Sequence, residues 1–352
     1  MAIEAATHYP GLSPRTYEHP ADRAATAALH AIPMLDRVIK RIGALGLEGR
    51  FRQQMLGDAV RVGTDQLPDV WSRHVRAATR LDLPAPAPLF VTQVPVVNAL
   101  TFGMRRPVVV VFSPLVADYE PDEVESVLAH ELGHVASDHM TYSTLMVLLG
   151  SLLQGALSDV PFADLPVRAI YMALLEWHRA AELTCDRAAA LAMDDPMVVC
   201  RMLMRMAGGA LPGLNVDAFI RQATEYADEE DLFALYSRFG TEVGRTHPLA
   251  VRRVRELITW VQAGELDRIR SGSYVRRGEE PRPTAEMEAA VRHYRERFVA
   301  GIERTAGGVA KLSGQMANWL RRHGPDGAAD ADGAAGADGA AGADGEGEPT
   351  GA

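Results

Sequence analysis

The chain has almost no lysine. Of its 36 basic residues only Lys40 and Lys311 are lysines, and arginine supplies the rest. With abundant alanine and glycine, that bias points to a high-GC bacterial genome. A basic excess is also missing: 46 acidic residues leave a formal charge of −10. Seven of those acids, from Asp326 to Glu348, lie beyond Gly324, where there is no Lys or Arg. The remainder is close to balanced, which gives no support to a nucleic-acid partner. Only two cysteines occur, Cys185 and Cys200. They make no disulfide framework and suit a reducing compartment. The start, MAIEAATHYPGLSPRTYEHP, lacks the basic segment and apolar run of a signal peptide. The expected location is therefore the cytoplasm.

What is present is enough for a sizeable core: 352 residues, 47% hydrophobic. Residues 1–20 read as an irregular lead-in. From Pro20 to Leu81 the pattern is helical, with Leu35, Val38, Ile39 and Ile42 spaced by three and four. The proline-rich LDLPAPAPLF (81–90) breaks it. PVVNALT (95–101) and PVVVVF (107–112) then read as strands joined by a turn over Phe102–Arg106, and four consecutive valines imply a strand covered on both faces. Glu120-Pro-Asp-Glu123 starts a helix, followed by the apolar stripe Val124, Val127, Leu128, Leu132, Val135. After Asp326 a six-residue unit of Ala, Gly and Asp repeats, a composition that buries too little apolar surface to order itself. The expected organisation is an N-terminal helical region (1–84), a central domain (85–260), a C-terminal helical extension (261–323) and a disordered acidic tail (324–352).

The helix after Glu120 carries VLAHELGHVASDH (127–139). Residues four apart on a helix are turned by only about 40°, so His130 and His134 can point nitrogens at one ion. Glu131, about 100° round, misses that ion but reaches water beside it. H-E-x-x-H thus reads as two imidazoles holding zinc and a carboxylate taking a water proton. A catalytic zinc site usually takes a third protein ligand. Continuing the motif along the helix fails, because Ser137 and Met140 stand where Gly and His are needed. His139, about 140° round the helix, should not reach the same ion. The best candidate lies in WHRAAELTCDRAAALAM (177–193), where Glu182 and Asp186 share a helix face. Glu182 could bind the ion while Asp186 accepts the outer N–H of a ligand histidine. His178, one turn earlier, is a rival; Glu176, about 240° round from Glu182, is a weaker one.

HELGH, then E-x-x-x-D on a second helix, then Thr246-His247-Pro248, resembles the zinc metallopeptidases of the HtpX and CAAX prenyl protease type, from about Asn98 to Leu257. Ser113-Pro-Leu-Val and Asp122-Glu-Val-Glu-Ser before the zinc helix share in the resemblance, as does Arg179, three residues before Glu182. It implies one Zn²⁺ per chain held by His130, His134 and Glu182, with Glu131 as general base. It further implies Asp186 and Arg179 as supporting residues and His247 as stabiliser of the developing oxyanion; from spacing alone His247 reads as a loop histidine. Asn98 and Ala99 fall on the strand along which the resemblance lays the substrate backbone. Two departures are His178, where a small residue is usual, and Cys185, where alanine is common.

Membrane relatives place spans between the two helices. Met140–Ser158 is uncharged and just long enough, though only moderately apolar, with several Ser, Thr and Gly and one Gln. For His134 and Glu182 to share a side, a second span must return over Val160–Leu175. Asp164 and Arg168 there would each cost about 2.5–3.5 kcal/mol at mid-bilayer. No transmembrane span is expected; the two segments should form a helical hairpin, with peripheral contact at the inner face of the membrane left open. The fold class expected is α+β: a zincin-like metallopeptidase, mostly helical, with a small antiparallel or mixed sheet beside the zinc helix. Its partner would be a peptide or protein substrate. A zinc-stabilised scaffold or adaptor that cleaves nothing is the alternative, against which the retained Glu131 argues.

Overall fold

Four valines occupy the middle of a small sheet. The strands are β1 (Val60–Arg61), β2 (Leu89–Thr92), β3 (Ala99–Phe102) and β4 (Val108–Phe112), in the order β1-β2-β4-β3. The sheet is mixed: β4 runs parallel to β2 and antiparallel to β3. Alternate side chains leave opposite faces. Val109 and Val111 join the main core with Leu128 and Leu132, while Val108 and Val110 pack with Met55 and Phe90. Both faces of β4 are covered, as the valine run predicts. The β3–β4 turn depends on Gly103, at φ +118°, where a Cβ would lie 2.6 Å from the Arg106 carbonyl oxygen.

The computed structural model describes residues 8–30, 33–44, 46–154, 165–228 and 247–281, with 288, 290–292 and 294–296. The expected acidic tail from 324, and residues 297–323 of the expected C-terminal extension, lie outside them. All described residues belong to one compact unit, Met1–Glu303. Its helices are α1 (Pro20–His30), α2 (Pro33–Ala44), α3 (Leu47–Asp58), α4 (Pro68–Arg80), α5 (Ser113–Asp118) and α6 (Pro121–Ala136). After these come α7 (Met140–Gln154), α8 (Leu165–Met193), α9 (Pro196–Gly208), α10 (Val216–Asp228), α11 (Ala250–Gln262) and α12 (Glu265–Arg270). Five of them open on proline, whose missing N–H has no partner to lose in a first turn.

Helix α6 is the axis of the molecule. Its start is fixed by a capping box in which the Glu123 side chain accepts the Glu120 N–H at 3.0 Å. Every residue from Glu123 to His134 is buried, packed against α8, α4, α9 and the sheet. Gly133 sets the α6–α8 distance: a Cβ there would lie 3.0 Å from Ala188 Cβ and 3.3 Å from Cys185 Cα. Helices α7 and α8 pack together, but the second arm of the expected hairpin runs unbroken into the helix bearing Glu182. Among the described residues no helix is long and apolar enough to cross a membrane. The lead-in is more ordered than its composition suggests: a short 3-10 turn over Pro14–Thr16, capped by Ser13, precedes α1.

Candidate metal centre

One turn of α6 faces one turn of α8, so His130 and His134 confront Glu182 and Asp186. Glu182 is fully buried between the rings, with His130 Nε2 3.4 Å from its Oε2 and His134 Nε2 3.1 Å from its Oε1. The outer nitrogens are engaged as well. His130 Nδ1 lies 3.1 Å from Asp186 Oδ1, and His134 Nδ1 lies 3.1 Å from His139 Nδ1. The second contact follows from how α6 ends. Asp138 adopts a left-handed φ of +58°, and the His139 N–H then bonds back to the His134 carbonyl at 3.0 Å. This is a Schellman turn, and it returns His139 against the ring it follows by five residues.

Arg253 of α11 closes the other end. Its Nε donates to Asp186 Oδ2 at 2.8 Å, its Nη2 to Asp186 Oδ1 at 2.6 Å, and its Nη1 lies 3.2 Å from Glu182 Oε2. Arg253 is 6% exposed, so this fork binds two carboxylates out of water. Burial alone would raise the Glu182 pKa, but His247, His130 and Arg253 together hold it well below the usual carboxylate range. Burial likewise opposes charge on His130, yet Glu182 and Asp186 lift it to about 9. His134 and His178 are pushed down, chiefly by burial.

Two tight groups of donor atoms stand out among the described residues: His130, His134 and Cys185, and His178, Glu182 and His247. Neither is the set suggested by the sequence, and the surroundings of each donor bear on which of them could hold an ion. With Asp186 and His139 on the Nδ1 atoms, the Nε2 atoms of His130 and His134 are left for an ion, and both lie against Glu182. Cys185 is fully buried, burial raises its thiol well above the ordinary range, and its sulfur lies 3.8 Å from His139 Nδ1. His178 stacks on His134 with ring centroids 5.6 Å apart, and its Nε2 is 3.4 Å from Glu182 Oε1. Its Nδ1 is buried with no hydrogen-bond partner. A ligand histidine nearly always donates its other N–H to an acceptor. His130 and His134 meet that condition and His178 does not. Two imidazoles and a carboxylate fit a divalent ion that accepts N and O donors.

Around this cluster, Thr101 on β3 donates its hydroxyl to Glu131 Oε2 at 2.6 Å. Strand β3 is an edge of the sheet. The Phe112 N–H bonds the Asn98 carbonyl at 3.0 Å, and paired residues alternate along an antiparallel ladder. Leu100 and Phe102 therefore bond to β4, while the backbone of Ala99 and Thr101 faces outward. Asn98 Oδ1 already accepts the Ala99 N–H at 2.9 Å. His247 Nδ1 is 2.7 Å from Glu182 Oε2, with 43% of its side chain exposed. Arg179 is half-buried on α8, three residues before Glu182. Sequence reasoning missed Arg253, Thr101, Asp22, whose Oδ2 lies 3.0 Å from His139 Nε2, and the His134 contact of His139. The first three reach the site only through tertiary packing, and no local spacing marks them. His139 had a local signal in the Ser137-Asp138 helix stop.

A buried H-E-x-x-H helix facing a glutamate helix beside an edge strand defines a metallopeptidase type of centre. Residues 65–261 match peptidase family M48. Over 259 residues the chain is 38% identical to the plastoglobule-localized metallopeptidase 48, chloroplastic, of Arabidopsis thaliana, across 71% of this chain and 73% of that protein. It is 28% identical over 226 residues to protease HtpX homolog 1 of Streptomyces coelicolor, across 56% of this chain and 72% of that one. Protease HtpX homolog 2 of Methanosarcina mazei is 26% identical over 227 residues, 56% of this chain and 74% of that one. No solved structure matches. The chain belongs to peptidase family M48, and the resemblance carried by HELGH and E-x-x-x-D holds. Metallopeptidase activity follows at the level of the family.

Proposed function

We propose that the chain is a zinc-dependent endopeptidase in which His130, His134 and Glu182 hold the ion, Glu131 is the general base and His247 the electrophilic donor. The observation that carries this reading is the division of the two imidazoles: both Nδ1 atoms are tied down, and both Nε2 atoms converge on one buried carboxylate. When bound, zinc supplies Lewis acidity toward the carbonyl oxygen and lowers the pKa of water. Thr101 fixes Glu131 through Oε2, so Oε1 takes the proton of the attacking water and later returns it to the leaving amine. His247 is the exposed member of the cluster; as an imidazolium it donates Nδ1–H to Glu182 and offers Nε2–H to an incoming carbonyl. Asp186, gripped by Arg253, holds the His130 ring.

The substrate backbone adds to β3 through the outward groups of Ala99 and Thr101, beside Asn98. Because the Ala99 N–H is taken by Asn98, the Ala99 carbonyl and Thr101 N–H make the first bonds to it. A scaffold that cleaves nothing has no use for a carboxylate oriented by Thr101, so we set that reading aside. Two buried free cysteines support a reducing, cytoplasmic location as part of the proposal. The test is metal analysis of the purified chain and digestion of a peptide library, with Glu131→Gln as control. One zinc per chain with internal cleavage by the parent alone is the expected result. A parent that carries zinc and cleaves nothing would restore the scaffold.

A further inference from the structure

Behind His134, on the side away from Glu182, a line of polar groups leads into α1. His139 Nε2 lies 3.0 Å from Asp22 Oδ2. Asp22 is completely buried and His139 is 3% exposed. Two hydroxyls also donate to this carboxylate, Thr184 to Oδ2 at 2.6 Å and Thr26 to Oδ1 at 3.1 Å. Each hydroxyl oxygen in turn accepts a donor of its own: the His19 N–H on Thr184 at 3.0 Å and Trp177 Nε1 on Thr26 at 2.7 Å. Those donors occupy the oxygens and turn both hydroxyl protons toward Asp22.

The direction of every bond in this line is then fixed. A neutral imidazole has one N–H and one lone pair. If His134 gives its Nε2 lone pair to an ion, its N–H is on Nδ1 and must donate to His139 Nδ1. His139 accepts there, so its own N–H is on Nε2 and donates to Asp22. Asp22, an ionised carboxylate, only accepts. The Cys185 Sγ lies 3.8 Å from the same His139 Nδ1 and is the weaker donor to that lone pair. Nothing in the line is left with two donors or two acceptors facing each other.

We propose that Asp22 is a positioning residue of the metal centre, acting through His139 to fix the tautomer and ring plane of His134. This rests on the assignment of His134 as a ligand. It makes α1, which precedes the segment matching the family at residue 65, a part of the centre. His130 and His134 thus have different backing: His130 leans on the Asp186–Arg253 pair, and His134 on an imidazole relay to the N-terminal helix.

The experiment measures Zn²⁺ affinity of the full chain by competition with a chromophoric chelator, and the visible spectrum of its Co²⁺ form. Asp22→Asn keeps the shape and removes the charge; His139→Leu removes the middle link. Each should weaken Zn²⁺ binding by about 10–100-fold, the usual scale for such backing residues, and alter the Co²⁺ bands. In the double variant the second change should add little, because the relay is already cut. Ala25→Gly, which loosens buried α1 without touching the relay, should leave affinity and spectrum unchanged. Parent-like affinity and spectrum in Asp22→Asn overturn the proposal, and so do additive losses in the double variant or an equal loss in Ala25→Gly. A parent that binds no Zn²⁺, or a His134→Ala chain that binds it as the parent does, overturns the ligand assignment and this inference with it. If Asp22→Asn fails to fold, His139→Leu alone decides: unchanged affinity sinks the relay.

Discussion

Glu131 and His247 make separable demands on single side chains. Glu131→Gln removes a proton acceptor and leaves the Nε2 atoms of His130 and His134 untouched. Zinc content should match the parent while turnover falls by about 10²–10⁴-fold, read by metal analysis beside peptide digestion. His247→Ala should likewise keep zinc and KM while kcat falls by roughly 10²–10³, the usual loss of one donor to a developing oxyanion. Loss of zinc in that variant would make His247 a ligand. Glu182→Ala and His178→Ala separate the two rivals for the third position. Equilibrium dialysis should show zinc loss only for the first, since His178 Nδ1 has no acceptor behind it. At this scale the sequence was legible where spacing within one helix determines geometry: His130 against His134, Glu182 against Asp186. Arg253 was not, because it lies 67 residues from Asp186 in a chain whose basic residues are nearly all arginine.

Between helices, the closest constraint is Gly133. Alanine there gains about 0.8–1.0 kcal/mol of helix propensity, but overpacking typically costs about 1–3 kcal/mol. The added methyl would meet a side chain at 3.0 Å and the backbone of Cys185 at 3.3 Å, and backbone does not give easily. Gly133→Ala should therefore lower Tm and zinc affinity together, because α6 and α8 carry opposite halves of the centre. Ala188→Gly in the same chain, which removes the nearest obstacle, should recover part of both. Elements with strong periodic or turn signals were readable: the valine strand, the start of α6, the β3–β4 turn. The two residues of β1 carry no such signal, and their pairing with β2 is set by the sheet rather than by Val60 and Arg61 themselves. The sequence also gave no sign that α8 runs from Leu165 through the glutamates as one helix, since its apolar content changes along its length while its backbone does not.

Taken as a whole, the molecule has an apolar core, with Val109, Leu128, Leu132 and Ala188 in it, made of side chains that offer an ion no ligand. Chelation should leave the chain folded and lower its Tm; zinc at 100 times its Kd would add about 2.7 kcal/mol of stability. Acid should weaken the chelated chain through His74. Burial pushes this imidazole below its ordinary pKa, opposed by the Ala87 carbonyl at 2.8 Å from Nε2, and its Nδ1 is buried without a partner. The unfolded chain takes up that proton near pH 6.5 and the folded chain only at lower pH. Its contribution is thus complete above about pH 6.5 and is lost as the pH falls below it, by up to about 1.4 kcal/mol per unit. Urea midpoints at pH 7.5 and 5.5 should diverge more in the parent than in His74→Gln. The lead-in and the stretch after α12 meet in a seam: the Ser13 N–H bonds the Val275 carbonyl at 3.0 Å, and the Arg277 N–H bonds the Gly11 carbonyl at 2.8 Å. That seam makes the order of synthesis matter. Asp22 leaves the ribosome 231 residues ahead of Arg253, an interval of about 12–46 s at 5–20 residues per second. Until Val275 emerges the seam cannot close, and until Arg253 emerges Asp186 has no cation. A ribosome-bound chain stalled at residue 240 should show no peptidase activity, while one released after residue 300 should, so the newborn enzyme stays harmless to its neighbours until its last third is made.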